Sequence, residues 1–168
     1  KSGERGFQLI ATSAFVEGMR DSGYKSTATA LDEFVDNSIQ AQATRVDVAY
    51  EVVKPEGNQH ELGSIAVIDN GHGMEAEMIR AAVLWGGTHR QNDRSGLGRF
   101  GFGLPSAAVS ITRRFEVYSK VKGGEWYRVC VDLDDICTGK HTNDDGMVIA
   151  PETEKAKRCE GLSWTTFS

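Results

Sequence analysis

Apolar residues recur at helical spacing over residues 12–22 and again over 26–43, where Ala30, Leu31, Phe34, Val35 and Ile39, with Ser38 among them, fall along one face. Thr29 and Asp32 have capping-box spacing, while Ser26 and Thr27 offer an earlier start. The period then changes to two. Val46, Val48, Tyr50 and Val52 alternate with Arg45, Asp47, Ala49 and Glu51, the pattern of a strand covered on one face. A polar turn around Pro55–Asn58 leads to a second strand, Ser64–Ile68, so the pair reads as a hairpin.

Residues 75–84 return to helical grouping through Met78, Ile79, Ala82 and Val83. Residues 86–103 hold six glycines among polar and basic residues, which predicts a loop rather than an element interior. Pro105 suits the first turn of a helix whose apolar side is Leu104, Ala107, Ala108 and Ile111. Two further strands, Phe115–Val121 and Glu125–Leu133, flank a Gly123-Gly124 turn. Residues 134–160 are polar and irregular and read as a surface loop or insertion. Helices mixed with strands, without regular alternation, predict an α+β fold: a two-layer sandwich of one mixed, mostly antiparallel sheet with helices on one face.

The length of 168 residues fits a single domain over 1–168 with its own core. A hydrophobic content of 39% and a charged content of 26% exclude disorder for most of the chain. The net charge of −5 repels phosphate overall and disfavours a DNA-binding module. No apolar run approaches the roughly 20 residues of a membrane helix and no signal segment is apparent, so the expected setting is soluble and cytoplasmic, without membrane contact. Lys1 is not a start methionine, and the strand-like Leu162–Phe167 stretch suggests an N-terminal domain excised from a longer protein. Cys130, Cys137 and Cys159 form no CxxC pair and are expected to be reduced thiols. His60, His89 and His141 have no ligand spacing with them, which argues against zinc. Trp85, Trp126 and Trp164 suit core packing, and Asp132, Asp134 and Asp135 read as a hydrated loop without Ca²⁺-loop spacing.

Three segments carry candidate chemistry. In Glu33-Phe34-Val35-Asp36-Asn37-Ser38, positions 33 and 37 lie on one helix stripe, so a carboxylate and a carboxamide reach one ligand. The carboxylate can take a proton from water, and the amide oxygen is a hard ligand suited to Mg²⁺. Taken alone, a solvated helix face accounts for the pair more simply. Asp69-Asn70-Gly71-His72-Gly73-Met74 follows a strand; its glycines permit close approach, and Asp69 can accept from the exocyclic amine of adenine while repelling the guanine carbonyl. A tight Asx turn without a ligand fits that segment equally well. His72 is expected to point to solvent. Ser95-Gly96-Leu97-Gly98-Arg99-Phe100-Gly101-Phe102-Gly103 runs into a helix, so exposed amides and a helix N-terminus favour a polyphosphate. Gly96, Gly98 and Gly101 also satisfy GxGxxG, but the polar stretch from Thr88 to Arg94 is not the strand a dinucleotide fold requires. A Walker A sequence is absent, because Gly139-Lys140 runs on to His141.

In this order the three segments resemble the GHKL ATPases, the superfamily of gyrase B subunits, large heat-shock chaperones, sensor histidine kinases and MutL proteins that share the Bergerat ATP-binding fold. The resemblance covers about residues 10–133. It implies that Glu33 prepares the hydrolytic water, Asn37 holds Mg²⁺, and Asp69 binds adenine with Gly71, Gly73 and Met74 around the base. It also implies phosphate contacts from Gly98, Arg99, Phe100, Gly101, Phe102 and Gly103, with Thr88 and Arg90 as further candidates, and closure of the preceding loop as a lid. Asp36 contacts the sugar or is structural. Glu33 four residues before Asn37, followed by Ser38, is more similar to the MutL, chaperone, topoisomerase and MORC branches than to histidine kinases. Gln40 stands where many relatives carry an acid, and Gly161-Leu162 departs from the late Gly-Thr motif, leaving Thr165 and Thr166 as alternatives.

The implied activity is Mg²⁺-dependent ATP binding and hydrolysis, coupled through lid closure to homodimerisation. Relatives also draw a lysine from a following transducer domain, so the isolated domain is expected to turn over slowly or not at all. A non-hydrolysing adenine-nucleotide sensor and a histidine-kinase catalytic domain are the competing readings. The client, DNA or protein, leaves no signal in the sequence.

Overall fold

A computed structural model describes residues 12–21, 24–53, 61–85, 103–144 and 147–156. Along the chain run α1 (Thr12–Asp21), α2 (Thr27–Gln40), β1 (Val46–Val53), β2 (Glu61–Asp69), α3 (Ala76–Ala82), α4 (Gly103–Ile111), β3 (Arg114–Ser119), β4 (Tyr127–Asp132), α5 (Leu133–Cys137) and β5 (Glu154–Lys155). Helix α2 begins where Ser26, in extended conformation, accepts a hydrogen bond from the Thr29 amide at 3.2 Å. The earlier of the two predicted starts is therefore the real one, and Thr29 lies inside the helix instead of capping it.

The fold is α+β, as the element pattern predicts, with all strand pairing antiparallel among the described residues. Strands β1 and β2 form one ribbon, and β3, β4 and β5 form a second sheet in that order. The single sheet expected from the sequence is thus two hydrogen-bonded groups, which meet where the segment after β2 touches the end of β3. Val129 and Val131 of β4 point into the core, where they meet Val16 of α1, Ile79 of α3, Val109 of α4, and Leu133 and Ile136 of α5. Phe115 and Val117 of β3 and Trp85 pack against this cluster, in keeping with the core role expected of Trp85. Each large side chain fully buried there contributes about 1.5–3 kcal/mol relative to its exposed form. Trp126 instead lies beneath the Lys120 ammonium, 5.3 Å from the ring centre.

The opposite face of β3 and β4 is polar. Glu116 accepts from Tyr118 and Arg114, and Arg128 joins it to Glu154 of β5. Burial pushes the Glu116 carboxyl up, but those hydrogen bonds and the Arg128 charge outweigh it and hold the group below the usual carboxylate range.

Three expectations are corrected. The valine face of β1 is not covered: Val48, Tyr50 and Val52 are 42–52% exposed, and the buried residue of the strand is Ala49 on the other face. Alternation shows which residues share a face, and the face left open here is the more apolar one. Residues 134–160 are not simply irregular, since they include α5, a bridge between Thr142 and Val148, and β5. Arg80 of α3 fastens this region by donating to the Ala150 carbonyl at 3.0 Å and pairing with Glu152 at 2.8 Å. The aspartate group is not a hydrated loop either. Asp132 caps α5 by accepting from the Asp134 amide at 2.9 Å, Asp134 pairs with Arg113 at 2.7 Å, and Asp135 pairs with Lys140 at 2.6 Å. Among the described residues Cys130 and Cys137 are not joined in a disulfide, and Cys159 lies outside them. No helix among the described residues is long and apolar enough to cross a membrane.

Candidate functional site

Helix α2 organises the site, because its amphipathic pattern buries Ala30 and Ser38 while Glu33 and Asn37 stand one turn apart. Glu33 has a neighbour at each oxygen. The Tyr24 hydroxyl donates to Oε2 at 3.3 Å, and Oε1 lies against the backbone of Gly103 at the start of α4. A Cβ at Gly103 would sit 1.8 Å from Oε1 and 2.4 Å from Cδ of Glu33, so only glycine leaves room for the carboxylate there. Burial, then the charge and hydrogen bonding of Glu33, push the Tyr24 phenol above its ordinary value.

One turn further on, the Asn37 side-chain nitrogen is buried with no hydrogen-bond partner among the described residues. An unsatisfied buried carboxamide is costly, and a further polar ligand relieves that cost. The orphaned atom is a donor, so an acceptor on a polar ligand satisfies it as it stands.

Ser38 links the helix to the end of β2. Its hydroxyl lies 2.9 Å from the Phe34 carbonyl and 3.3 Å from Asp69 Oδ2. The second carboxylate oxygen, Asp69 Oδ1, accepts from the Gly71 amide at 2.8 Å, so the Asx turn expected as an alternative to ligand binding is present. It also orients the carboxylate, and the two readings are compatible. The His72 amide donates to the Ala41 carbonyl at 3.0 Å, tying this turn to the C-terminus of α2. The His72 side chain is exposed, as the sequence predicts.

Gly73 sits at φ +73°, and a Cβ there would fall 1.8 Å from the Lys120 carbonyl oxygen. The next amide, Met74 N–H, donates to the buried Ser119 hydroxyl at 2.8 Å, and the Met74 side chain packs on the core. The turn after β2 is therefore clamped between α2 on one side and β3 on the other.

Glu33 thus meets Gly103, and Ser38 meets Asp69, the two contacts lying five residues apart on one helix, about 7.5 Å along its axis at 1.5 Å per residue. Gly98, Arg99, Phe100, Gly101 and Phe102, with Thr88, Arg90, Thr165 and Thr166, lie outside the described residues. Sequence reasoning missed Tyr24, Ser119 and Asn70 as supports. Asn70 Oδ1 accepts from the Thr44 and Arg45 amides, each at 2.9 Å, fixing the link between α2 and β1. Its place within the aspartate–glycine segment was the only signal; Tyr24 and Ser119 carry none.

The helix bearing Glu33 and Asn37, the glycine turn that orients Asp69, and the second helix opening at Gly103 belong to one α+β fold. The chain belongs to the family of histidine kinase-, DNA gyrase B- and HSP90-like ATPases, whose model matches residues 24–162. It is also 33% identical over 92 residues to ATPase MORC2B of Mus musculus. That stretch spans 54% of this chain and 9% of the mouse protein, so the similarity concerns a small part of the longer relative.

Proposed function

We propose that this domain binds ATP with Mg²⁺ and, in the full-length protein, hydrolyses it, with closure of the glycine-rich segment coupled to dimerisation. The observation that carries this reading is that α2 brings Glu33 to the start of α4 and Ser38 to Asp69, so that two distant segments share one helix as their support. Membership of the ATPase family supplies the nucleotide.

The role of each residue follows from its chemistry. Asp69 offers a fixed acceptor, with Gly71 holding one oxygen and Ser38 beside the other, and a fixed acceptor selects an amino group over a carbonyl. Gly73 and Met74 set the turn that carries it against β3. Asn37 is the residue that would hold the metal through its amide oxygen, since Mg²⁺ takes one or two protein oxygens and completes its shell with phosphates and water. When bound, the metal neutralises phosphate charge. Glu33 orients the attacking water and receives its proton, which is positioning and general-base work. The amides from Gly98 to Gly103, including those of Arg99, Phe100, Gly101 and Phe102, serve the phosphates. A following transducer domain completes the catalytic set in the longer protein.

Gly103→Ala tests the arrangement. The clash falls on the far end of a flexible side chain, and alanine favours helix over glycine, so the fold is expected to persist. The Glu33 carboxylate must move aside. Expected are an unchanged melting temperature, ATP affinity within about threefold, and turnover lowered about tenfold or more, since misplacement by about 1 Å carries penalties of that order. Phosphate-release kinetics on the full-length protein provide the measurement, and full activity in the variant would contradict the placement of Glu33.

A further inference from the structure

Glu33 stands on an exposed-to-buried boundary, and a glutamate there loses precision unless its rotamers are restrained. The restraint on Oε2 comes from outside the helix. Tyr24 lies two residues before the Ser26 cap, and its hydroxyl reaches across the first two turns of α2 to donate to that oxygen at 3.3 Å. The Ser26–Thr29 capping bonds fix the start of α2 between the two residues. Gly103 occupies the side of Oε1. The carboxylate thus lies between the Tyr24 hydroxyl and the start of α4.

We propose that Tyr24 is a positioning residue for Glu33, presenting the carboxylate in the orientation required to align water. This deepens the reading of Glu33 as the water-orienting base and rests on it. The hydroxyl donates and the carboxylate accepts, so Tyr24 acts in its protonated form and takes no proton during turnover. The raised phenol value agrees with a neutral donor facing a negative acceptor. Phenylalanine keeps the ring and its packing while removing only the donor.

Two measurements on the full-length protein test the proposal. The first is the phenol titration of Tyr24 followed by NMR of ¹³Cζ-labelled tyrosine without nucleotide, with Tyr24→Phe assigning the signal. The midpoint is expected above the ordinary tyrosine value and to fall in Glu33→Gln; a midpoint indifferent to Glu33→Gln overturns the proposal. The second is steady-state turnover. Tyr24→Phe is expected to lower kcat about tenfold with KM for ATP within about twofold, and to add nothing further in the Glu33→Gln background. Normal kcat in Tyr24→Phe alongside lost turnover in Glu33→Gln overturns the role of Tyr24 and leaves that of Glu33 standing. Full turnover in Glu33→Gln removes the base itself, and the proposal with it.

Discussion

Glu33→Ala is expected to bind ATP as the unaltered protein does and to turn it over at least about a hundredfold more slowly, the usual scale for losing a positioned general base. The variant removes the acceptor that lies between Tyr24 and Gly103, and it leaves Asn37, Ser38 and Asp69 untouched. Alanine is a strong helix former in the middle of α2, so the scaffold carrying the other residues persists. The Tyr24 hydroxyl is only partly buried and can exchange its partner for water, which keeps the stability cost small. Single-turnover hydrolysis by the full-length protein, with ATP affinity measured in parallel, separates the two effects. A variant that hydrolyses at the original rate would remove Glu33 as the base, and one that fails to bind would place Glu33 in recognition instead.

The largest effect on stability is expected from Gly73→Ala. Two penalties coincide there: a left-handed backbone at φ +73° and a Cβ 1.8 Å from the Lys120 carbonyl oxygen. Unlike the Glu33 carboxylate at Gly103, a backbone carbonyl cannot swing away. Relief would have to displace the turn from β3, breaking the Met74–Ser119 hydrogen bond in the process. The combined cost is about 2–6 kcal/mol, from about 1–3 for the backbone conformation and a similar amount for overpacking. That is a large part of a typical domain's stability and corresponds to a fall in melting temperature of roughly 10 °C. Gly123→Ala is the control, because Gly123 has φ +77° with nothing within 4 Å of its Cβ and incurs the backbone term alone. Thermal unfolding of both variants should show Gly73→Ala lower by a clear margin; equal melting points would contradict the clamp between the turn and β3.

These two sites also show what the sequence discloses and what it withholds. The helical period over α2 and the alternation in β1 were readable because each repeats several times within one element. Helix α5 was not: five residues are too few to establish a period, and its Asp132 cap resembles any acidic loop. Glu33, Asn37 and Asp69 stood out by residue type and spacing, but each segment alone fitted a structural reading, and only the order of the segments gave the resemblance that implies their roles. Their supports did not stand out, since the Ser119 hydroxyl meets Met74 across 45 positions and no local pattern announces such a contact. The exposed valine face of β1 falls between these cases, because the alternation is plain but the side that packs is decided by tertiary structure.

Whether α2, the Asp69 turn and the start of α4 form one adenine-nucleotide site is decided by calorimetric titration of the protein with ATP, ADP and GTP, with and without Mg²⁺. ATP and ADP are expected to bind at least about a hundredfold more tightly than GTP, Mg²⁺ to strengthen ATP binding, and Asp69→Asn to erase the preference for adenine. GTP binding as tight as ATP, or a preference that survives Asp69→Asn, would contradict such a site.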